Sequence, residues 1–528
     1  MSTGRSLLAD RLQWNRMVHP PAVLRVTALA SYTIDPLVPY LGLGLHRLGL
    51  PPALTVGPFN QIVQQCLDDT AETARSAPDV LVVSPRFEES GPVPAPDSTG
   101  REPTGEEHLL AVAEAAVAAA GRWHAALVFV LPALPDEAPD GVGDQLSSGG
   151  LVASATATRE RLRRMLENRP NVLIADAEAV VRAIGARNAH HESLFRHARI
   201  PYTEEVFAAL AAQITRLVRL RYSPATRAVV LDSGVGAEEV DPTRFAPLVG
   251  ELRRHGIRIA WHGNRPDGLG DPDAEAPPAA DPVVEPDAEP GRLDALIAAW
   301  DLTSEEVTLV TGSDAPPSTP VGVTTVPLPP DPADWSAAVR SAGVFDRWPC
   351  PPRGAPAEPA AQASSSIRSR TSLADYVASL DVSIDWRTAG ADDVPQIAEM
   401  LLRTKDFTLG LEHSEEALAA ALADGKLDVR LARVRDRFGD YGVGAAVGVR
   451  QAPPGPVAEL LLVSCPALGK GVEEDALREL LSLVPAAATG PVTVPYRDTG
   501  RNGIAIEFLR NAADRDRLRV TQLQGASR

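Results

Sequence analysis

The sequence predicts an α/β protein of more than one domain, and three observations carry that reading. Apolar runs alternate with helical stretches: VLRVTALA (23–30), DVLVVSP (79–85), AALVFVLPAL (125–134) and NVLIAD (171–176) read as strands. That rhythm argues for a parallel sheet with helices on both faces. The chain has 528 residues, more than one ordinary core holds. Two low-complexity stretches, 266–291 and 349–366, break it up; both are rich in Pro and Ala, and the first is acidic. Neither can bury enough apolar surface to fold alone.

The breaks give four parts. Residues 1–222 form an N-terminal α/β domain. In it DPLVPYLGLGLHRLG and 106–121 are helices, and PALTVGPF is a further strand. Residues 223–348 form a second α/β unit that carries the acidic insert 266–291. Its strands are RAVVLDSG, IRIAWHGN, VTLVTGSD and an extended TTVPLPPD; its helices are FAPLVGELRRHG and LDALIAAWDL. Residues 349–372 are a linker. Residues 373–528 form an α+β domain, with DVSIDWRTA, a helix DDVPQIAEMLLRT, an antiparallel hairpin VRLARVRDRFGDYGVGAAVGVR, and strand, turn and helix in AELLLVSCPALGKGVEEDALRELLSLV.

Composition narrows the function. Net charge is -18, which disfavours nucleic acid and anionic membranes as general partners. Hydrophobic residues make up 44% and aromatic residues 5%, so the cores must be built from Ala, Val and Leu. Cys66, Cys350 and Cys465 are too scattered for a disulfide framework or a metal knuckle. No signal-peptide core and no run of ~18 apolar residues is present, so a soluble cytoplasmic protein is expected.

In the first domain, Ser31 follows the first strand in ALASYT and Asn60 follows the second in GPFNQ. Polar residues at the carboxyl ends of parallel strands sit where such sheets place ligands. With His190 of NAHHESLF, they are the parts of an SGNH-type hydrolase: nucleophile, oxyanion donor and base. A three-layer SGNH-like fold is therefore expected. Against the catalytic role, an acid should precede the histidine, where the chain reads ARNA. A serine after a strand also serves as a helix cap.

RAVVLDSGVG has the frame of the DxDxT motif of haloacid dehalogenase (HAD)-type phosphotransferases, which implies a HAD-like Rossmannoid core. Asp232 stands where the nucleophile would be, but Gly234 replaces the general acid and Gly236 the threonine. His262 stands in place of the phosphate-binding Ser or Thr. The screening lysine is missing, since the first lysine of the chain is Lys405. After VTLV an acidic pair should close the Mg²⁺ site, and the chain reads Thr311-Gly312-Ser313-Asp314. Mg²⁺ needs oxygen ligands near octahedral geometry, and phosphoryl transfer needs charge neutralisation. One carboxylate supplies neither unless Arg292 and Asp314 substitute. Mg²⁺ and phosphatase activity are not expected.

In the last domain, LGKGVEED (468–475) is a strand-to-helix turn resembling the Q/R-x-x-G-x-G/A turn of acetyltransferase (GNAT)-like folds. Pro466 stands at its first position, and Gly469 and Gly471 are kept. Such a turn aims N–H groups at a pyrophosphate, so Gly469, Lys470 and Gly471 are candidates to hold coenzyme A or phosphopantetheine. Packing of helix on strand would explain the same glycines. Asp406, Asp440 and Tyr441 would line the same cleft. Cys465 reads as a small buried residue, not a nucleophile.

The order of parts resembles the FkbH-like proteins of the HAD-IIIC type. LASYTIDPLVPYLGLGLHRLGL…GPFNQ is similar to their N-terminal region, RIPYTEEVFAALAAQITRLVRL…RAVVLDSG to the lead-in to their phosphatase-type core, and RVRDRFGDYG and SCPALGKGVE to their acetyltransferase-like domain. The resemblance implies glyceryl-type acyl transfer to an acyl carrier protein in polyketide biosynthesis. With its core motifs degenerate, the chain would be either an acyltransferase working elsewhere or a non-catalytic scaffold, a pseudoenzyme, that keeps carrier-protein recognition. The sequence leaves catalysis open.

Overall fold

The apolar runs become three sheets. The structure, a computed structural model, describes residues 7–87, 105–135, 141–146, 150–169, 171–232, 242–262, 283–284, 292–312, 319–320, 322–347, 377–378, 380–436, 439–452, 455–484, 490–513, 515 and 518–523. The protein is α/β, with two parallel sheets and one mixed sheet. Packing divides it into two units: Met1–Leu24, Leu37–Ala53 and Ala208–Pro356 form one, and Arg25–Pro36, Leu54–Phe207 and Ala357–Arg528 the other.

The first sheet comprises β1 (Leu24–Ala30), β2 (Pro52–Val56), β3 (Val80–Ser84), β4 (Ala126–Leu131) and β5 (Val172–Asp176), in the order β2-β1-β3-β4-β5. Strands β1, β3, β4 and β5 pair in parallel. β3 and β4 are buried at every residue, which is why they read as unbroken apolar runs. β2 lies at the edge, is half-exposed and starts on Pro52, a position where a missing N–H costs nothing. Alanines 113, 115, 116, 119 and 120 of the helix Gly105–Trp123 are buried against β4 and β3 in one core.

The second sheet comprises β6 (Ala228–Asp232), β7 (Arg258–His262), β8 (Val283–Val284), β9 (Val307–Thr311) and β10 (Thr324–Pro327), all parallel, in the order β10-β9-β6-β7-β8. Side chains alternate between two cores. Val229, Leu231, Trp261 and Val310 face one, and Ala228, Val230, Ala260 and Leu309 the other. The acidic insert falls, apart from Val283–Val284, outside the described residues.

The third sheet comprises β11 (Ser383–Thr388), β12 (Leu427–Asp436), β13 (Gly439–Arg450), β14 (Val457–Val463), β15 (Val492–Tyr496) and β16 (Leu518–Gln522), in sequence order. It is antiparallel through β14; β15 and β16 then run parallel to it. One pair, Val457 with Thr493, joins β14 to β15, so the two strands diverge beyond it. The sequence pattern had not announced β15, β16 or the helix Gly503–Ala513. Both strands are short, β16 is largely exposed, and β15 contains Pro495. Among the described residues no helix is long and apolar enough to cross a membrane.

Candidate functional site

Strand period explains the first cluster. Asp232, His262 and Thr311 end three adjacent parallel strands, in direct register. They continue the face that carries Val230, Ala260 and Leu309, so their side chains converge above that core. Thr311 Oγ1 donates to Asp232 Oδ2 at 2.6 Å, and His262 Nδ1 lies 3.2 Å from Asp232 Oδ1. The carboxylate is buried, and each oxygen is held by a neighbour. The sheet order changes direction between β6 and β9, where open α/β sheets place ligands. At that point the chain puts its own Thr311–Asp232 hydrogen bond. Trp261 projects to the opposite face, fully buried against Phe245 at 5.2 Å between ring centroids, edge to face. Gly234, Gly236, Asp314 and the side chain of Arg292 lie outside the described residues. Among the described residues no group of three or more His, Cys, Asp or Glu side chains is placed to hold a metal ion.

The second cluster lies where β1 and β3 end. Ser31 is buried and its Oγ accepts the Arg86 N–H at 2.9 Å, so the hydroxyl bridges the two strand ends. Tyr32 Oη and Ser84 Oγ repeat the bridge at 2.8 Å. Asn60 reaches the same end: its N–H bonds Ala30 O at 3.0 Å, and its backbone is left-handed at φ 54°, a region asparagine tolerates. His190 packs on Tyr202 at 5.5 Å between ring centroids, and Tyr202 meets Tyr32 edge-on at 5.6 Å. The Arg86 guanidinium sits over Phe195 and Tyr202, at 4.9 and 5.2 Å. Ser31 and Asn60 therefore share one strand end, while His190 belongs to an aromatic–arginine stack beside it. Arg86 and Tyr202 were not singled out from sequence; only the polar-aromatic pairs SPRF and IPYT hinted at them.

A cleft of 1210 Å³ opens beside this end. The segments after β1 and β2 line it, including Tyr32 and Phe59. Opposite them are Asp406, Tyr441, Cys465 and Arg501, from around the third sheet. Asp406 and Tyr441 line it, but Gly469, Lys470 and Gly471, expected on the same cleft, are not among its lining residues. Asp440 instead pairs with Arg433, at 2.8 Å. Cys465 Sγ donates to Asp406 Oδ2 at 3.5 Å, and burial together with Asp406 pushes the thiol pKa up to about 12. A thiol held protonated in this way is a poor nucleophile.

The glycine turn follows β14. Gly469 and Gly471 adopt φ of 72° and 82°, which explains both glycines. The Gly469 N–H donates to the Glu473 carboxylate, and the Gly469 carbonyl accepts from Gln64 Nε2 at 3.5 Å. Lys470 is buried, 7% exposed, with Nζ 2.7 Å from Asp436 Oδ2 and 2.6 Å from Tyr441 Oη. Burial lowers its pKa, and Asp436 works against that shift.

No protein-family model and no curated protein matches the chain. Among solved structures, it is similar to the N-terminal part of BF1531 from Bacteroides fragilis, described as containing a phosphatase domain complexed with Mg. The TM-score is 0.49 and the identity 14%, over 65% of this chain and 99% of that one. The E. coli heptosyltransferase WaaC follows at TM-score 0.14 and 16% identity, over 61% of this chain and 98% of that one. A GCN5-related glucosamine N-acetyltransferase region of a fungal multi-domain β-N-acetylglucosaminidase follows at 0.16 and 13%, over 85% and 56%. Likenesses this remote assign neither fold family nor activity.

Proposed function

We propose that this chain is an FkbH-like protein that recognises the phosphopantetheine arm of an acyl carrier protein without using Asp232 as a phosphoryl-transfer nucleophile. The three sheets are then SGNH-like, HAD-like and GNAT-like in turn. Strand order supports the first two readings. The first sheet runs 2-1-3-4-5, and the second, in its own numbering, 5-4-1-2-3; both change direction beside their first strand.

One observation carries the functional half. Asp232, which would form the aspartyl phosphate, has one oxygen held by Thr311 and the other facing His262. An in-line nucleophile needs an oxygen free to approach phosphorus. Of the other hydroxyl and thiol groups, Ser31 Oγ accepts the Arg86 N–H, and Cys465 stays a neutral thiol. The arm itself, thin and flexible, would enter the cleft of 1210 Å³, whose walls mix aromatic, carboxylate and guanidinium groups. Binding without turnover is therefore favoured over acyl transfer.

The test incubates the full chain with a phosphopantetheinylated carrier protein, Mg²⁺ and 1,3-bisphosphoglycerate, with acetyl-CoA in a parallel tube. Co-elution without mass gain is expected. Acyl gain in either tube would replace the scaffold reading by a transferase, and loss of co-elution would remove the carrier protein as partner.

A further inference from the structure

Coenzyme A is the cofactor that the resemblance of the LGKGVEED turn implies, and the residues of the turn do not fit it. A pyrophosphate would need the N–H groups of Gly469–Gly471 and the dipole of the helix Val472–Ser482. The turn already holds an acceptor of its own. The Glu473 side chain folds back from the first turn of that helix and accepts the Gly469 N–H. Burial raises the pKa of this carboxyl group, and the backbone N–H groups of Gly469, Glu473 and Gly471 work against that shift. A side-chain acceptor folded onto a helix N-terminus takes the N–H groups that a phosphate would use.

The remaining groups are taken as well. The one cation of the turn, Lys470, points inward to Asp436 and Tyr441, with its ammonium 4.0 Å from the Tyr441 ring centroid. The far side of the turn is covered by the helix Ile62–Leu67. Its N-cap residue Gln61 and its Gln64 are both buried. Gln64 bonds the Gly469 carbonyl, and a Cβ on Gly469 would come within 3.2 Å of Gln61 Cδ.

We infer that the Gly469–Glu473 turn is not a coenzyme A site but an internal clamp, in which Glu473 is the resident acceptor and the helix Ile62–Leu67 is the resident partner. The clamp fastens elements more than 400 positions apart in sequence, Gln64 and Gly469. It holds whether or not a carrier protein enters the cleft, because Gln61, Gln64, Gly469 and Glu473 do not line that cleft.

Hydrogen exchange on the full chain, with and without coenzyme A, tests it. Unmodified protein is expected to show no protection of 468–473 at about 1 mM coenzyme A. Glu473→Ala is expected to raise exchange about tenfold both in the turn and in the distant helix Ile62–Leu67. Gln64→Ala, which leaves Glu473 in place, approaches the clamp from the other side and is expected to raise exchange at 469–471. The clamp would be overturned by protection of 468–473 on adding coenzyme A. It would equally be overturned by a variant that loosens its own segment and leaves the other unchanged.

Discussion

Thr311 and Asp232, 79 positions apart, end neighbouring strands and share a buried hydrogen bond of 2.6 Å. The bond sits at the place where a parallel sheet of this order would take its ligand. An aspartate at a strand end is open to two readings, nucleophile or structural acceptor. Here its neighbours on both sides use it as an acceptor.

Replacing Asp232 should therefore cost stability and not binding. Asp232→Ala leaves the buried Thr311 hydroxyl and His262 Nδ1 without their acceptor, which costs about 1–3 kcal/mol. Urea denaturation measures that loss. Co-elution with a carrier protein is expected to be unchanged.

Lys470 and Asp436 form an ion pair with side chains 6% and 0% exposed. Lys470→Met leaves the buried Asp436 carboxylate with the Tyr441 hydroxyl at 2.9 Å but without its counter-charge, and is expected to destabilise by about 3–5 kcal/mol, whereas Lys470→Met with Asp436→Leu recovers most of it. Thermal denaturation of the single and double variants checks the pair. A single variant as stable as the parent would contradict the buried geometry.

How much of this was legible in sequence follows from how local each feature is. The strand ending at Asp232 announces itself through AVVLD, because burial on both faces demands an unbroken apolar run. The β12–β13 hairpin shows in its alternation, while in β15 Pro495 masks the alternation of VTVPY. The two glycines of LGKG marked a turn correctly. Glu473, four residues after Gly469, was visible too, but its side chain could be placed on the turn only from coordinates. The partner of Lys470 lies on another strand, and that of Ser31 is a backbone N–H 55 positions away. No local pattern encodes either.

Asp393 contributes to the pH dependence. Arg387 and the Gly390 N–H hold Asp393 down at about 2. A carboxylate with a depressed folded pKa adds stability that is fully present above its unfolded value, near 4. It is lost as pH falls through the folded one. Stability should therefore drop between about pH 4 and pH 2. Because the arginine is half-exposed, the Asp393 share is about 1 kcal/mol. Asp393→Asn, compared by urea midpoints across this range, should lack that share of the slope.

Cys465 should react slowly. With its pKa near 12, little thiolate exists at neutral pH, so iodoacetamide labelling, read by peptide mass, should lag far behind a free cysteine. Asp406→Asn removes the second cause after burial, a neighbouring negative charge. It is expected to speed labelling several-fold while leaving Cys465 slower than an exposed thiol.

The most direct measurement is the intact mass of a phosphopantetheinylated carrier protein after co-elution with this chain, in the presence of Mg²⁺ and 1,3-bisphosphoglycerate. The carrier protein should co-elute at unchanged mass. A glyceryl mass gain that disappears in Asp232→Asn would contradict the account, because it would make the carboxylate held between Thr311 and His262 a working nucleophile.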